Sequence, residues 1–364
     1  MNILIYLGHP AQYHFFKNVL AILKTKGHTI TLLIKTKDVL EKLVQNDGYD
    51  YVNIQRKSRR NNSFSIFIAS LVRMFKVVLI AKRNHIDLLV GTDSSIAQAG
   101  YICGKPSITT LEDDYDVIKK LANLTYPFTS SIVAPTVCSV GKWESKKISY
   151  QGYMKLAYLH PNCFTPDINI KMSYVADNKY CLLRLAQLTA HHDTGIKGLN
   201  VEIVKSVIKL AHEQGYKVYI SSELKIEESL VEYQLKINQN DIHHVLAFAS
   251  LLISDSQSMS VEAAMLGVPS IRFSDFVGRI SVLEELENQY KLTFGVQTNS
   301  VDKLLKLTES LLSDITIAEN FQDRKLKMLA DKIDVTAFMV WLIENYPESG
   351  RMMKKNPDYQ YQFQ

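Results

Sequence analysis

At 364 residues, with 46% apolar and 22% charged residues, the chain is long enough for two domains that each bury a core, and its composition excludes disordered and fibrous classes. A net charge of +5 hides an asymmetry: residues 1–165 hold 21 Lys+Arg against 11 Asp+Glu, whereas residues 166–364 hold 21 against 26. No recognition-helix or RRM-like pattern accompanies the basic half, so nucleic acid is not an expected partner, and four scattered cysteines without CxxC spacing indicate reduced thiols and no metal site.

Residues 1–8 read as a buried first strand, because they lack the basic flank of a signal peptide, and a cytoplasmic location is the expectation. Further strands are expected at 29–34, 51–54, 88–90, 107–110 and 131–134. Helices fall between them at 14–26, 36–47, 63–84 and 94–103, with Gly27, Gly48 and Gly104 as left-handed terminators just past three of them. The apolar run 64–80 is broken by Arg73 and Lys76, so it reads as a helix packed on a sheet and not as a membrane span. Beside the basic run 56–60, its Arg73, Lys76, Lys82 and Arg83 accompany Phe64, Phe67, Leu71 and Phe75. Such a face suits either solvent or peripheral contact with the inner side of a plasma membrane.

Two prolines in the weakly periodic segment 151–166 mark a crossover between domains. A second alternating series follows, with strands at 180–186, 217–221, 251–254, 270–273 and 293–296. Its helices are expected at 200–214, 226–235, 259–266 and 301–312. An amphipathic helix over 333–345, carrying Trp341, is expected to pack back across the junction, and the polar, Tyr-rich tail to be poorly ordered. Two Rossmann-like, doubly wound α/β domains facing across a cleft, spanning 1–160 and 161–345 with a tail at 346–364, give the architecture of GT-B enzymes.

Ligands in open α/β sheets gather beyond the carboxyl ends of the strands, which directs attention to five loops. The first, GHPAQYH, puts His9 and His14 at a helix mouth, where either can act as general base, donate to a phosphate, or cap and pack the helix. In the second, Asp93 follows Gly91-Thr92 and is a functional carboxylate or a cap. The third carries Glu112 and Asp113, suited to binding a sugar hydroxyl, abstracting a proton, or facing solvent. In the fourth, Arg184 and Lys197 can neutralise a diphosphate while His191, His192 and Asp193 supply donors and an acceptor. Adjacent histidines do not share a helical face, so no metal site is read there; Arg279 is a further phosphate candidate.

The most informative loop is SDSQSMSVEAAMLGVP, over 254–269. A strand, a hydroxyl-rich turn, a helix N-terminus and a second strand present backbone N–H groups of Ser256, Gln257, Ser258 and Met259 to a phosphate, with Glu262 in reach of a sugar; an ordinary capped βαβ unit has the same pattern. Gly-x-Gly-x-x-Gly, Walker A, nucleophile-elbow and zincin motifs do not occur, which argues against a nicotinamide enzyme, a P-loop ATPase and a serine hydrolase.

Taken together, GHPAQYHFFKN, GYMKLAYLHPNCFTPD, the 184–198 segment and SDSQSMSVEAAMLGVPSIR resemble the DUF354 family, prokaryotic proteins grouped with GT-B glycosyltransferases and non-hydrolysing UDP-N-acetylglucosamine 2-epimerases. The resemblance covers nearly all of residues 1–345. It implies a nucleotide sugar, expected to be a UDP-sugar, whose diphosphate meets residues 256–259 and whose ribose meets Glu262. With the helix-mouth motif and the two-domain pattern, the expectation is a glycosyltransferase-like enzyme of surface polysaccharide synthesis with its glycan or lipid-linked acceptor on the basic first domain and an inverting transfer with His9 or His14 as base. No metal or cofactor is expected, since Arg184, Lys197 and the helix dipole offset the leaving diphosphate. An epimerase is the alternative, since Gly91-Thr-Asp93 and Leu111-Glu112-Asp113 stand where epimerases carry Gly-Asp-Thr and His-Val-Glu; yet Gly8-His-Pro10 replaces their Gly-Thr-Arg-Pro-Glu and its arginine. A non-catalytic nucleotide-binding protein is the third reading.

Overall fold

The computed structural model describes residues 1–37, 39–55, 63–186, 198–222 and 226–364, which divide into two compact units, Met1–Tyr158 with Lys332–Gln364 and Leu159–Asp331. In the first unit, strands β1 (Asn2–Leu7), β2 (Thr29–Lys35), β3 (Val52–Gln55), β4 (Leu88–Gly91), β5 (Ser107–Thr110), β6 (Ser131–Pro135) and β7 (Lys147–Tyr150) form a sheet ordered β3-β2-β1-β4-β5-β6-β7. All its pairings are parallel. Helices α1 (Pro10–Thr25), α2 (Leu40–Asn46), α3 (Ser63–Arg83), α4 (Ser94–Cys103), α5 (Lys119–Thr125) and α6 (Leu156–Leu159) connect and cover it.

Burial explains why these strands are continuous apolar runs: a parallel sheet covered on both faces has no solvent side to alternate toward. Leu4, Tyr6, Leu33, Leu89 and Ile96 join Val77, Val78 and Ala81 of α3 in one buried cluster. Chain order reverses between β1 and β4, which makes their carboxyl ends the switch point of this sheet.

The second unit repeats the plan on a smaller scale. Strands β8 (Tyr180–Leu185), β9 (Lys217–Ser222), β10 (Leu251–Ser254), β11 (Ser270–Phe273) and β12 (Phe294–Val296) are ordered β12-β11-β10-β8-β9, again parallel throughout, with the switch between β8 and β10. Its helices are α7 (Ile168–Tyr174), α8 (Val201–Glu213), α9 (Ile242–Leu246), α10 (Gln257–Leu266), α11 (Ser281–Asn288), α12 (Val301–Ser313) and α13 (Ile317–Asp331). Apolar faces of α8 and α12 close one side of the sheet over Leu183, Ile220, Ile253 and Ile271. The expected acidic helix at 226–235 is a 3-10 segment, Glu228–Tyr233.

The C-terminal boundary differs from the sequence expectation. Residues 332–345 belong to the first unit and not to the second, because α14 (Val335–Glu344) packs on α1 and its Glu344 accepts from Lys26 Nζ at 2.6 Å and pairs with His28 Nε2 at 3.0 Å. The expected poorly ordered tail is instead α15 (Glu348–Lys355) followed by the 3-10 segment Pro357–Phe363. Aromatic stacking supplies the cohesion that a polar composition conceals: Trp341 meets Tyr359 at 4.9 Å and Phe363 at 5.5 Å. The crossover is likewise built into the core, with Tyr153, Leu156, Ala157 and Tyr158 buried.

Candidate functional site

In the first unit, the switch point is formed by Gly8-His9 after β1 and Thr92-Asp93 after β4. A Cβ on Gly8 would lie 3.3 Å from Lys35 Cε and 3.4 Å from the Tyr6 hydroxyl, so only glycine lets those groups approach without displacement. His9 caps α1, its Nδ1 accepting from the Ala11 N–H at 3.2 Å. That bond uses the lone pair on Nδ1 and leaves the neutral ring's proton on Nε2, so the exposed edge of His9 donates and does not accept. His14 is half-buried, with its ring 5.4 Å from that of Tyr158.

Two of the three carboxylates nominated at neighbouring strand ends are engaged by other elements: Asp93 by Arg73 of α3 and Glu112 by the 151–159 segment. Asp93 caps α4 by accepting from Ser95 N and Oγ, and its other oxygen lies 3.3 Å from the buried guanidinium of Arg73, which also donates to Gln55 at 2.6 Å. Burial alone would raise the Asp93 pKa; Arg73, Ser95 and Lys35 outweigh it and hold the group below the ordinary aspartate value. Glu112 accepts from the Met154 N–H and from Lys155 Nζ, each at 2.6 Å. Asp113 beside it is half-buried, and after burial its charge is the main influence raising the pKa of Tyr126. A bond from Thr92 Oγ1 to the Thr110 carbonyl, 3.1 Å, joins the ends of β4 and β5.

At the switch point of the second unit, Ser256 caps α10, its Oγ accepting from Met259 N at 3.4 Å while its own N–H is taken by Ser254 Oγ at 2.8 Å. Gln257 and Ser258 follow as the first two helical residues, whose N–H groups have no carbonyl partner within the helix. Gly267 ends the helix at φ +71; Met259, Ser260, Val261 and residues 263–266 are all buried, so the helix is enclosed and only Gln257, Ser258 and Glu262 are partly exposed. Arg184, at the end of β8 and in register with Ser254, donates to Ser221 Oγ at 2.8 Å.

Three groups here escaped the sequence reading. Asp255 is buried and accepts from Ala186 N at 2.7 Å and Leu199 N at 3.2 Å, joining the ends of the β8 and pre-α8 loops. A Cβ on Gly198 would stand 2.4 Å from its Oδ2, so the glycine is what admits the carboxylate. Burial pushes Asp255 up to about 6 against the opposing pull of those N–H groups and of Arg184. His243 of α9 is buried with its Nε2 3.4 Å from Glu262 Oε2, and fixes the carboxylate one turn inside α10. Arg272, 0% exposed in the middle of β11, donates to Gln257 Oε1 at 3.2 Å and to Glu287 at 3.0 Å. Arginine in an otherwise apolar buried strand, with Glu284 and Glu287 downstream, was the available signal.

Of the nominated residues, the structure gathers Arg184, Ser256, Gln257, Ser258 and Glu262 around the β8–β10 switch point. The Gln257 amide is turned to Arg272, and buried Met259 offers only its backbone. Arg279 is exposed in the turn after β11. His191, His192, Asp193 and Lys197 lie outside the described residues. Among the described residues, no group of three His, Cys, Asp or Glu is placed to hold a metal, and no helix is long and apolar enough to cross a membrane.

No protein-family model matches the sequence, and the search of curated proteins gives no match. Solved structures do resemble the fold. UDP-GlcNAc 2-epimerase from Methanocaldococcus jannaschii aligns with TM-score 0.63 at 16% identity, over 91% of this chain and 99% of that one. The S. aureus MnaA–UDP co-structure aligns with TM-score 0.63 at 12% identity, over 96% and 98%. Acinetobacter baumannii MurG aligns with TM-score 0.59 at 13% identity, over 94% and 99%. The chain therefore has the GT-B fold, two Rossmann-like parallel-sheet domains whose C-terminal helices return to the first.

Proposed function

We propose that this protein is a GT-B-type glycosyltransferase of the DUF354 kind, which takes sugar from a nucleotide-sugar donor, a UDP-sugar in this reading, to a glycan or lipid-linked acceptor in cell-surface polysaccharide synthesis. The observation that carries the proposal is the mouth of α10. There the N–H groups of Gln257 and Ser258 point out of a serine-capped helix end beside Arg184, with a histidine-held Glu262 one turn inside. A diphosphate leaving group gains stabilisation from such N–H groups and from the helix dipole, so it departs without metal in this mechanism. Glu262 accepts from the ribose hydroxyls, and His243 holds it in place. The acceptor hydroxyl must lose a proton to a base; His9, committed to capping through Nδ1, is cast as a donor, which leaves His14 and Asp113 as the candidates.

The epimerase reading draws support from the M. jannaschii likeness and from the linked ends of β4 and β5, which put Asp93 and Glu112 in the loops after neighbouring strands. Against it, both oxygens of Asp93 are occupied, by Ser95 and Arg73, and Glu112 is engaged by Lys155. UDP-N-acetylglucosamine and other UDP-sugars incubated with the protein in deuterated buffer separate the readings by NMR. Release of UDP that rises with added lipid or glycan is expected; deuterium at C2 with a new epimer would overturn the transferase. Saturable UDP binding with neither product would leave a non-catalytic binder.

A further inference from the structure

The largest feature left unused by this reading lies on the outer side of the first unit. Along α3, Ile68, Val72, Phe75 and Leu79 are all exposed, Phe75 by 59% and Leu79 by 68%. Their spacing of four, three and four residues puts them in one stripe on the side opposite Val77 and Ala81, which enter the core. Helix α4 packs against α3, and it too carries exposed apolar groups, Tyr101, 70% exposed and edge-on to Phe128 at 5.6 Å, and Ile102. A helix in a water-soluble sheet layer normally turns charges outward, so a continuous apolar stripe of this kind marks a surface that something covers.

Charge selects the occupant. Helices α3, α4 and α5 contain no Asp or Glu, while exposed Lys82 and Arg83 flank the lower end of the stripe; exposed Lys76 follows Phe75 on the same helix and donates to the Ile54 carbonyl at 3.0 Å, and exposed Lys105 follows α4. Asp93, which caps α4, is already neutralised by Arg73. A second copy docking through the same patch would bring the same cations against themselves. An anionic bilayer instead offers an apolar layer for the aromatic and aliphatic groups and phosphates for the cations. We propose that the α3–α4 face is a membrane-docking surface that inserts Phe75, Leu79 and Tyr101 at the headgroup boundary of an anionic bilayer.

The test uses the full chain and vesicles, without a sugar donor, so its result is independent of the transferase reading. Wild-type protein is expected to sediment with vesicles of equal parts phosphatidylglycerol and phosphatidylcholine, and far less with phosphatidylcholine alone. Phe75→Glu with Leu79→Glu should abolish sedimentation while leaving the circular dichroism and melting temperature unchanged, since both side chains face outward. Lys82→Gln with Arg83→Gln should weaken binding roughly 30-fold, about fivefold for each cation removed. Equal binding by wild type and variants, or no binding of wild type to anionic vesicles, overturns the proposal. A dimer in sedimentation velocity that Phe75→Glu with Leu79→Glu dissociates, without vesicle binding, would assign the face to a second copy.

Discussion

Two switch points built on the same topology use their polar residues in opposite ways. At the ends of β1 and β4, Asp93 and the neighbouring Glu112 are consumed by local construction: one caps α4 and neutralises buried Arg73, the other clamps Lys155 and the N–H of Met154. At the ends of β8 and β10, the buried carboxylate Asp255 ties backbone together, and this leaves the mouth of α10 and Glu262 to face outward chemistry. Topology thus tells where ligands gather, whereas the partners of each side chain decide which of the residues there can meet one.

The contrast breaks most sharply at Arg73. Arg73→Met leaves Asp93 half-buried without its cation, and removing one member of a buried pair costs about 3–5 kcal/mol. Chemical denaturation should show that loss in the first unit, with UDP affinity unchanged; a neutral result would mean that Asp93 is free to act in chemistry. In the second unit the strongest lever is charge at the helix mouth. Ser258→Asp favours α10 through the dipole, yet it opposes a bound diphosphate, so UDP affinity should fall about a hundredfold with stability kept. Unchanged affinity in calorimetry would remove the phosphate from α10.

Much of this contrast was legible beforehand, and its failures share a cause. Continuous apolar runs marked β1, β4, β8 and β10, and Gly267 marked the end of α10, because burial and capping act on neighbours in sequence; the helix starts at Gln257, two residues before the expected Met259, since Ser256 caps it. His243 and Asp255 left no signal, and Arg272 left only an arginine in an apolar strand, since each gains its meaning from a partner on another element: Glu262, the N–H groups of Ala186 and Leu199, and Glu287. The tail misled for the same reason. Its Tyr359 and Phe363 look solvated in a polar segment until Trp341, on α14, is placed beneath them.

A smaller effect separates Asp255 from Asp93 by pH. The folded-state value of Asp255, near 6, lies above its ordinary 3.8, so the folded unit holds the extra proton between those values. Its contribution to stability therefore falls as pH rises from about 4 to 6, by at most about 3 kcal/mol. Asp93 runs the other way: its lowered value contributes stability that is present above the ordinary aspartate range and lost on acidification. Melting temperatures of wild type and Asp255→Asn, compared at pH 4.5 and 7, should show wild type gaining on the variant at the lower pH. A difference that does not move with pH would mean that Asp255 is not buried as an ionisable group.

The finest distinction concerns Glu262, whose position inside α10 has both a structural and a functional explanation. As a structural residue it only satisfies buried His243, and Glu262→Gln should then lower stability and leave nucleotide binding alone. As the ribose acceptor, it exchanges hydrogen bonds with the sugar hydroxyls that a charged carboxylate makes stronger than an amide does, so UDP affinity should fall about tenfold. The discriminating ligand is 2′-deoxy-UDP, which keeps the diphosphate and the base but lacks one of those hydroxyls. Wild type should prefer UDP over it, and Glu262→Gln should bind the two nearly alike. His243→Ala should reproduce part of the loss, because the carboxylate remains but is no longer held; if it instead matches wild type in that preference, the α9 histidine plays no part in orienting Glu262 and the pair is an internal contact of the second unit alone.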